Sequence, residues 1–271
     1  DYLGIAEISK SHLTEYGDFQ TINVQDFGIH NGTAYIIYDY IDGYTLDFDK
    51  LNNAGDLESY IRRIGNMLSD MHTISNPVDG FGWYTYADGG VALNEHYQKS
   101  TDMILDYLDY NLERIDDQDF VLTYEDQIRS VISENIKYDG DPCIGHCDVK
   151  YGNIIESDEN HLCLIDWEFA RSVDPMYDFV KAERELLRGY PLKFSDDRAD
   201  DLHTIFRSAY FDDSEFEPHR YYAYWIHEMV SRLRQARKWY PNDDLDEVRQ
   251  YYKNSILNYI DRLSSNPETI S

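Results

Sequence analysis

Two acidic residues and one asparagine at fixed spacing constrain this 271-residue chain more than any other feature. The pattern H-x-D-x-x-x-x-N begins at His146 and places Asp148 and Asn153 in one segment, and Asp166 follows 13 residues after Asn153. Short apolar runs flank a polar turn signal at residues 157–160, which predicts two strands joined as a hairpin. Such a hairpin returns the chain to its starting edge, so we expect Asn153 and Asp166 to lie close together.

These residue types in this order are the ones that phosphoryl transfer requires. One carboxylate must accept or orient the proton of the attacking hydroxyl, and Asp148 is the candidate catalytic residue. An amide oxygen and a second carboxylate must hold Mg²⁺ against the nucleotide phosphates, and Asn153 and Asp166 suit that role.

Apolar spacing predicts that most of the remaining chain is helical. The clearest case is residues 57–72, where apolar side chains recur at helical intervals. Weaker patterns predict helices at residues 2–16, 95–115 and 124–137 and from residue 178 to about residue 263, with a loop that includes residues 81–90.

A β-hairpin is predicted near the start of the chain. Residues 22–29 and 33–41 are rich in β-branched and aromatic side chains, and Asn31 and Gly32 between them form a hairpin turn signal. Together with short strands at residues 143–145, 153–156 and 161–166, this hairpin indicates an α+β fold class.

Acidic residues dominate the charge balance: 52 Asp and Glu against 24 Lys and Arg give a formal net charge of -28. Nucleic acid is therefore not an expected partner, because phosphate backbones are bound by basic surfaces. The acids are dispersed in pairs along the chain, so we expect a halophilic protein whose self-repulsion is screened by abundant cations. A few of these acids are also expected to suit a cationic substrate.

The sequence also indicates where the protein works. No apolar run approaches the roughly 20 residues that a membrane helix needs, and the first residues lack the pattern of a secretory signal. Cys143, Cys147 and Cys163 have neither the paired spacing of a zinc site nor the density of a disulfide framework. We therefore expect no membrane partner and a cytoplasmic location.

Several motifs together resemble the aminoglycoside phosphotransferase and choline kinase-like family, which has a protein-kinase-like fold. Residues 146–153 resemble its catalytic loop, and Ile165-Asp-Trp-Glu168 is similar to its metal-binding segment. Three more segments occur in the family's order: the strand and hinge ending at Gly43, the helix ending at His72, and Asp174-Pro-Met-Tyr-Asp178. The resemblance runs from about residue 7 to residue 180. It implies an ATP-dependent phosphotransferase that moves the γ-phosphate of Mg-ATP to a hydroxyl of a small molecule.

The resemblance also implies where the nucleotide binds. The adenine is expected to stack near Ile37 and Ile41 and to bond the main chain of Asp39 and Ile41. Those groups lie at the hinge, where main-chain groups stay unpaired.

Further residues take roles by the same resemblance. Lys150 is a candidate catalytic residue that neutralises the transferred phosphate. Glu168 is a candidate metal ligand beside Asn153 and Asp166, because residues 166 and 168 point to one side if the strand continues. His146 is expected to hold the loop by hydrogen bonds rather than to act as a base.

The resemblance divides the chain at the hinge. Residues 1–43 correspond to a remnant of the N-lobe, and residues 44–271 to a helical C-lobe with the catalytic loop and the substrate-binding helices. The family's first strands, its Gly-rich phosphate loop and its ATP-binding lysine do not precede Glu7, the candidate helix acid of that lobe. The sequence therefore reads either as an N-terminally truncated form of a longer enzyme or as a degenerate relative.

Three functions remain open from the sequence. The first is a small-molecule kinase whose acceptor is an amino sugar or an aminoalcohol, since an acidic pocket suits a cation. A protein Ser/Thr kinase is favoured by Lys150, but few residues separate Asp166 from Asp174, and no A-P-E follows. The third is a non-catalytic kinase-like binding module.

Overall fold

The computed structural model describes residues 2–13, 19–158, 161–188, 196–211, 216–241 and 245–264. In these residues the helices are α1 Tyr2–Ser11, α2 Phe48–Ala54, α3 Leu57–His72, α4 Ser100–Leu112, α5 Gln118–Asn135, α6 Pro175–Glu183, α7 Asp196–Tyr210, α8 Pro218–Trp239 and α9 Leu245–Ser264. The strands are β1 Phe19–Thr21, β2 Val24–His30, β3 Thr33–Tyr38, β4 Gly43–Thr45, β5 Gly82–Ala87, β6 Gly90–Leu93, β7 Cys143–Gly145, β8 Ile154–Ser157, β9 Leu162–Leu164 and β10 Arg171–Val173. Shorter elements are 3₁₀ turns over Tyr151–Asn153 and Trp167–Phe169 and a π-helix over Arg184–Arg188.

Helix α3 has the bounds that the sequence predicts. Its apolar side chains recur every three or four positions and are buried, including Ile61, Ile64 and Leu68. An apolar stripe of this kind fixes which face of a helix turns toward the core. With small sheets beside such helices, the predicted α+β class is confirmed.

Four short strands form a sheet in the order β1-β9-β8-β4. Its centre is the predicted hairpin of β8 and β9, in which Ile154 lies opposite Leu164. Strand β1 runs parallel to β9, and β4 runs antiparallel to β8. This sheet therefore joins segments from both sides of the hinge.

The hairpin of β2 and β3 lies between β1 and β4 in the chain. Asn31 and Gly32 have φ values of 50° and 79°, the left-handed conformation that a type I′ turn requires. The predicted hairpin is confirmed. Its second strand ends at Tyr38 rather than at residue 41, which leaves residues 39–41 as the hinge.

The loop predicted over residues 81–90 is wrong, because β5 and β6 form an antiparallel hairpin there, with Tyr84 opposite Leu93. Strand β5 also joins β10 and β7 in a second sheet. Gly82 conceals the strand pattern in the sequence. A Cβ at this position would lie 1.7 Å from the Glu95 carbonyl oxygen, so close packing requires glycine here.

The weaker helix predictions hold in outline. Helix α1 ends at Ser11, so residues 12 and 13 are not helical as predicted, and residues 14–16 of that prediction lie outside the described residues. Helix α5 begins earlier than predicted because the Asp117 side chain caps it, accepting the Phe120 N–H at 3.1 Å. None of the described helices combines the length and the apolar character needed to cross a lipid bilayer.

The chain forms two compact units. The first comprises residues 1–96 and 141–216 and contains every predicted site residue. The second comprises residues 97–140 and 217–271, in which α8 packs on α9 and α5 packs on both. The family resemblance implies that residues 95–137 and the helices after residue 200 shape the acceptor pocket. That role and the predicted division at residue 43 stay predictions.

Candidate active site

Asp148 lies in the loop that follows β7, and its carboxylate is mostly enclosed, with 15% of the side chain exposed. Lys150 donates to its Oδ2 at 2.6 Å. Partial burial works to lower the pKa of Lys150, but the hydrogen bond and charge of Asp148, with the charges of Glu185 and Asp166, raise it overall. Lys150 is therefore a firmly protonated cation in contact with the candidate catalytic carboxylate.

Asn153 ends the 3₁₀ turn after this loop and is buried. Its side-chain nitrogen donates to the main-chain carbonyl of Asp148 at 3.0 Å and to Asp148 Oδ2 at 2.9 Å. Both donors to the Asp148 carboxylate therefore use Oδ2. Within the described residues, neither Asp148 Oδ1 nor the side-chain oxygen of Asn153 accepts a hydrogen bond.

Asp166 reaches the same place through the β8–β9 hairpin. The N–H of Ile165 donates to the Asn153 carbonyl at 2.9 Å, so the residue before Asp166 is bonded to Asn153. Asp166 itself has a left-handed conformation, with φ 64° and ψ 61°, and is exposed. Its carboxylate accepts no hydrogen bond from any described residue. The structure thus brings Asp148, Asn153 and Asp166 to one edge, as the sequence predicts.

Glu168 was predicted to lie beside Asp166 on the assumption that the strand continues through both residues. Strand β9 ends at Leu164, and residues 167–169 form a 3₁₀ turn. The strand does not continue, so the alternation that placed Glu168 beside Asp166 does not apply. A metal-binding role for Glu168 stays a prediction.

His146 joins the catalytic loop to the segment that carries Asp166. Its Nε2 donates to the Ile165 carbonyl at 2.9 Å, and its Nδ1 accepts the Asp148 N–H at 3.2 Å. One donor and one acceptor are what a neutral imidazole provides. Burial lowers the pKa of His146 despite the charges of Asp178, Asp148 and Asp166 around it. The predicted structural role of His146 is confirmed by these hydrogen bonds.

Asp178 binds the main chain of the catalytic loop. This role was not predicted from the sequence. Its Oδ2 accepts the His146 N–H at 2.8 Å, and its Oδ1 accepts the Cys147 N–H at 2.7 Å. His72, at the end of α3, donates to Oδ2 at 3.1 Å. Burial works to raise the pKa of Asp178, but the hydrogen bond from His72 and the Cys147 N–H lower it overall. The only sequence signal was the D-P-x-x-D motif.

At the hinge, the main-chain N–H and carbonyl of Asp39 differ in their hydrogen bonding. Its N–H donates to the Asn23 carbonyl at 3.0 Å, and its carboxylate accepts from the side chains of Asn23 and Gln25. Within the described residues, the Asp39 carbonyl and the main chain of Ile41 make no main-chain hydrogen bond. Ile37 is 53% exposed beside them.

The family was tested by comparison with known proteins. The family model described as "Phosphotransferase enzyme family" matches residues 20–224, which is most of the chain. The chain belongs to this family. A comparison with curated proteins finds no match.

Solved structures share the fold of this family member at low identity. An apo thermostable mutant of the aminoglycoside phosphotransferase APH(4)-Ia aligns with a TM-score of 0.68 and 15% identity, covering 98% of this chain and 85% of that one. Its ternary complex with AMP-PNP and hygromycin B gives 0.66 and 15%, covering 97% and 83%. An ethanolamine kinase of Plasmodium vivax gives 0.56 and 15%, covering 97% and 71%. The protein-kinase-like fold expected from the sequence is confirmed.

The interval between Asp166 and Asp174 bears on the protein kinase alternative. Between Asp166 and Asp174 the chain forms the 3₁₀ turn of residues 167–169 and then β10, which pairs with both β5 and β7. Asp174 then caps α6, accepting the Met176 N–H at 2.8 Å. Sheet and helix occupy the whole interval, so it has no room for a long activation segment.

Proposed function

We propose that the protein transfers the γ-phosphate of Mg-ATP to a hydroxyl group of a small molecule. The observation that carries this proposal is the arrangement around Asp148. Two donors, Lys150 and Asn153, bind its Oδ2, and its Oδ1 accepts no hydrogen bond from the described residues. A carboxylate held on one side and open on the other can orient an attacking hydroxyl and take its proton.

The proton transfer follows from that geometry. As the acceptor oxygen bonds to the γ-phosphorus, its proton passes to Asp148 Oδ1, and ADP leaves with the electron pair of the broken P–O bond. Lys150 remains protonated and stabilises negative charge on the transferred phosphoryl group. Asn153 keeps the carboxylate in one orientation throughout.

The residues at this edge fit a magnesium ion. Asn153 and Asp166 offer an amide oxygen and a carboxylate that accept no hydrogen bonds from described residues, and oxygen ligands are those that Mg²⁺ prefers. The described residues contain no cluster of three or more His, Cys, Asp or Glu side chains for a metal, so water and phosphate oxygens would complete the shell. Glu168 is the proposed additional ligand. When bound, Mg²⁺ neutralises charge on the nucleotide phosphates.

We place the adenine at the hinge. The Asp39 carbonyl can accept from the adenine amino group, and the Ile41 N–H can donate to a ring nitrogen, with Ile37 and Ile41 contacting the ring. The Asp39 N–H is already bonded to Asn23, so only its carbonyl serves the base. The complex of an APH(4)-Ia mutant with AMP-PNP and hygromycin B supports an ATP-type nucleotide in this fold.

The acceptor is proposed to be a cationic amino sugar or an aminoalcohol. The net charge of -28 favours cations near the protein. The related structures include a complex with hygromycin B and an ethanolamine kinase, which are consistent with amine-bearing acceptors. Three buried cysteine thiols and the proposed use of ATP support a cytoplasmic location.

ATP consumption tests the function directly. The protein, in high salt with Mg²⁺, is assayed against amino sugars, choline, homoserine and nucleoside-like sugars, and at least one acceptor should stimulate turnover. Asp148→Asn should lower kcat by about 10²- to 10⁴-fold, the usual contribution of a general base. Asp158→Asn makes the same chemical change at an exposed position of the β8–β9 hairpin and should leave kcat unchanged.

Each other outcome has a definite meaning. If Asp148→Asn keeps full turnover, the assignment of the proton acceptor is wrong. Nucleotide binding without turnover on any acceptor would instead indicate a binding module. Phosphorylation of a protein substrate, with none of the small molecules, would indicate a protein kinase.

A further inference from the structure

Glu156 is a buried carboxylate that the proposed chemistry does not use. It lies in β8, three residues after Asn153, and only 4% of its side chain is exposed. Its Oε2 accepts hydrogen bonds from the hydroxyls of Tyr44 and Tyr60, and its Oε1 accepts from Arg63 at 2.6 Å. Three donors from two other elements therefore converge on one carboxylate.

The first donor connects Glu156 to the hinge. Tyr44 lies in β4, directly opposite Glu156 in the antiparallel pair and three residues after Ile41. The same strand is bonded to β8 by the Leu46 N–H at 2.9 Å from the Ile154 carbonyl. At Gly43 the strands approach so closely that a Cβ would lie 2.2 Å from the Glu156 carbonyl oxygen. The chain leaving the hinge is thus fixed to the strand that follows Asn153.

The other two donors connect Glu156 to helix α3. Tyr60 and Arg63 belong to its first half, and His72 at its end donates to Asp178, which binds the catalytic loop. At 1.5 Å per residue, the span from Tyr60 to His72 is about 18 Å of straight helix. One rigid element therefore contacts the hinge strand at one end, through Glu156, and the support of the catalytic loop at the other.

The carboxylate is charged in this setting. Burial works to raise the pKa of Glu156, but the hydrogen bonds from Tyr44, Tyr60 and Arg63 lower it overall. A buried ion pair contributes little stability compared with apolar side chains of the same volume. What it supplies is a fixed geometry, because an ionised oxygen pair accepts these donors in one arrangement.

We propose that Glu156 is a positioning residue that sets the place of the adenine-binding hinge relative to the catalytic loop. This inference depends on the proposed function, because the hinge matters only if it binds a nucleotide. It predicts that loss of the Glu156 contacts raises the KM for ATP, while the kcat for bound substrates stays nearly unchanged. Replacing a residue that merely supports the fold would instead lower the free energy of unfolding and kcat, without a selective effect on the KM for ATP.

Tyr44→Phe is the first test because the Tyr44 ring is 58% exposed, so removing its hydroxyl leaves the packing intact. The KM for ATP should rise about fivefold, as expected for one lost hydrogen bond, with kcat and the acceptor KM within about twofold of wild type. Glu156→Gln should raise the KM for ATP by more. The matched control is Tyr35→Phe, which removes another tyrosine hydrogen bond, to Asp26 at 3.1 Å, and should change nothing.

Hydrogen exchange gives a readout that does not need activity. In Glu156→Gln the Leu46 and Asp158 amides, which bond across β4 and β8, should exchange at least tenfold faster, while the His146 and Cys147 amides stay protected. Uniform loosening of all four amides, or unchanged exchange at Leu46 and Asp158, would overturn the proposal. So would a fall in kcat with an unchanged KM for ATP. If the wild type turns over no acceptor, the proposed function fails, and the exchange data still decide whether Glu156 holds the hinge strand.

Discussion

Asp178 Oδ1 accepts the main-chain N–H of Cys147 at 2.7 Å, at a residue whose φ of 63° lies in the left-handed region. A non-glycine residue is rarely held in this conformation unless its surroundings fix it. The Asp178 carboxylate, which also accepts the His146 N–H, is the group that fixes it. The turn that presents Asp148 is therefore maintained from a helix 30 residues further along the chain.

Replacing that carboxylate should cost more stability than its size suggests. Asp178→Asn places an NH₂ group where a carboxylate oxygen now accepts an N–H and removes the negative charge beside His72, and losing one member of a buried charged network costs about 3–5 kcal/mol. We expect the free energy of unfolding in urea to fall by about that amount. Asp126→Asn, an exposed change in α5, should lie within about 0.5 kcal/mol of wild type. A small loss in Asp178→Asn would show that other contacts fix the turn.

Acid should destabilise the protein in two separate steps. The pKa of His146 is lowered, so its contribution to stability is full above the unfolded value of about 6.5 and is lost as the pH falls below it. The pKa of Asp178 is also lowered, so its contribution is present above about 3.9 and is lost as the pH falls below that value.

Urea unfolding between pH 8 and pH 3 measures both steps. In a His146→Asn variant the difference in stability from wild type should shrink below pH 6.5, and in Asp178→Asn it should shrink only below pH 4. Each comparison removes nearly all of the effect of the overall charge, because wild type and variant differ by at most one charge in a net charge of -28. Differences that do not change with pH would contradict the protonation states inferred from the hydrogen bonds.

Magnesium should stabilise the protein only together with nucleotide, and this stabilisation should require Asn153 and Asp166. A ligand that binds the folded state raises the unfolding temperature by an amount that grows with the logarithm of its concentration relative to its Kd. We expect Mg-ATP to raise the melting temperature of the wild type, and Asp166→Asn and Asn153→Ala to lose most of that increase. Glu168→Gln decides the open ligand, since an increase equal to wild type would remove Glu168 from the metal shell.

Salt should strengthen the fold. With a net charge of -28, repulsion between surface carboxylates opposes folding, and raising the ionic strength from 0.1 M to 1 M shortens the screening length from about 10 Å to about 3 Å. The urea midpoint should therefore rise between 0.1 M and 1 M KCl. A midpoint that stays constant or falls would remove the halophilic interpretation, without affecting the assignment of the catalytic residues.

Local patterns in the sequence predicted the structure well, and distant pairings were missed. Helix α3 has its predicted bounds because its apolar stripe lies within one element. Strand β1 was missed because its three residues pair in parallel with β9, more than 140 positions away, and leave no periodic signal. Strand β5 was missed because it begins with Gly82, which the sequence suggests is a loop residue. The structure requires glycine there because the Glu95 main chain lies close, and the sequence does not show that proximity.

The site divides in the same way. Asp148 and Asn153 are five residues apart, so their hydrogen bond follows from one loop, and their pairing could be inferred from the motif. The supporting roles of Asp178 and Glu156 depend on partners about 30 to 110 positions away, which only the folded chain brings together. Their residue types are also common in a chain with 52 acids, so composition gave them no prominence.

The placement of the β2–β3 hairpin limits how it can move. Both of its ends enter the same four-stranded sheet, through β1 on one side and β4 on the other. A segment attached at two points turns most easily about the line that joins them. Rotation about the line between β1 and β4 would keep the strand pairs of this sheet, whereas sideways sliding of the hairpin would require breaking them.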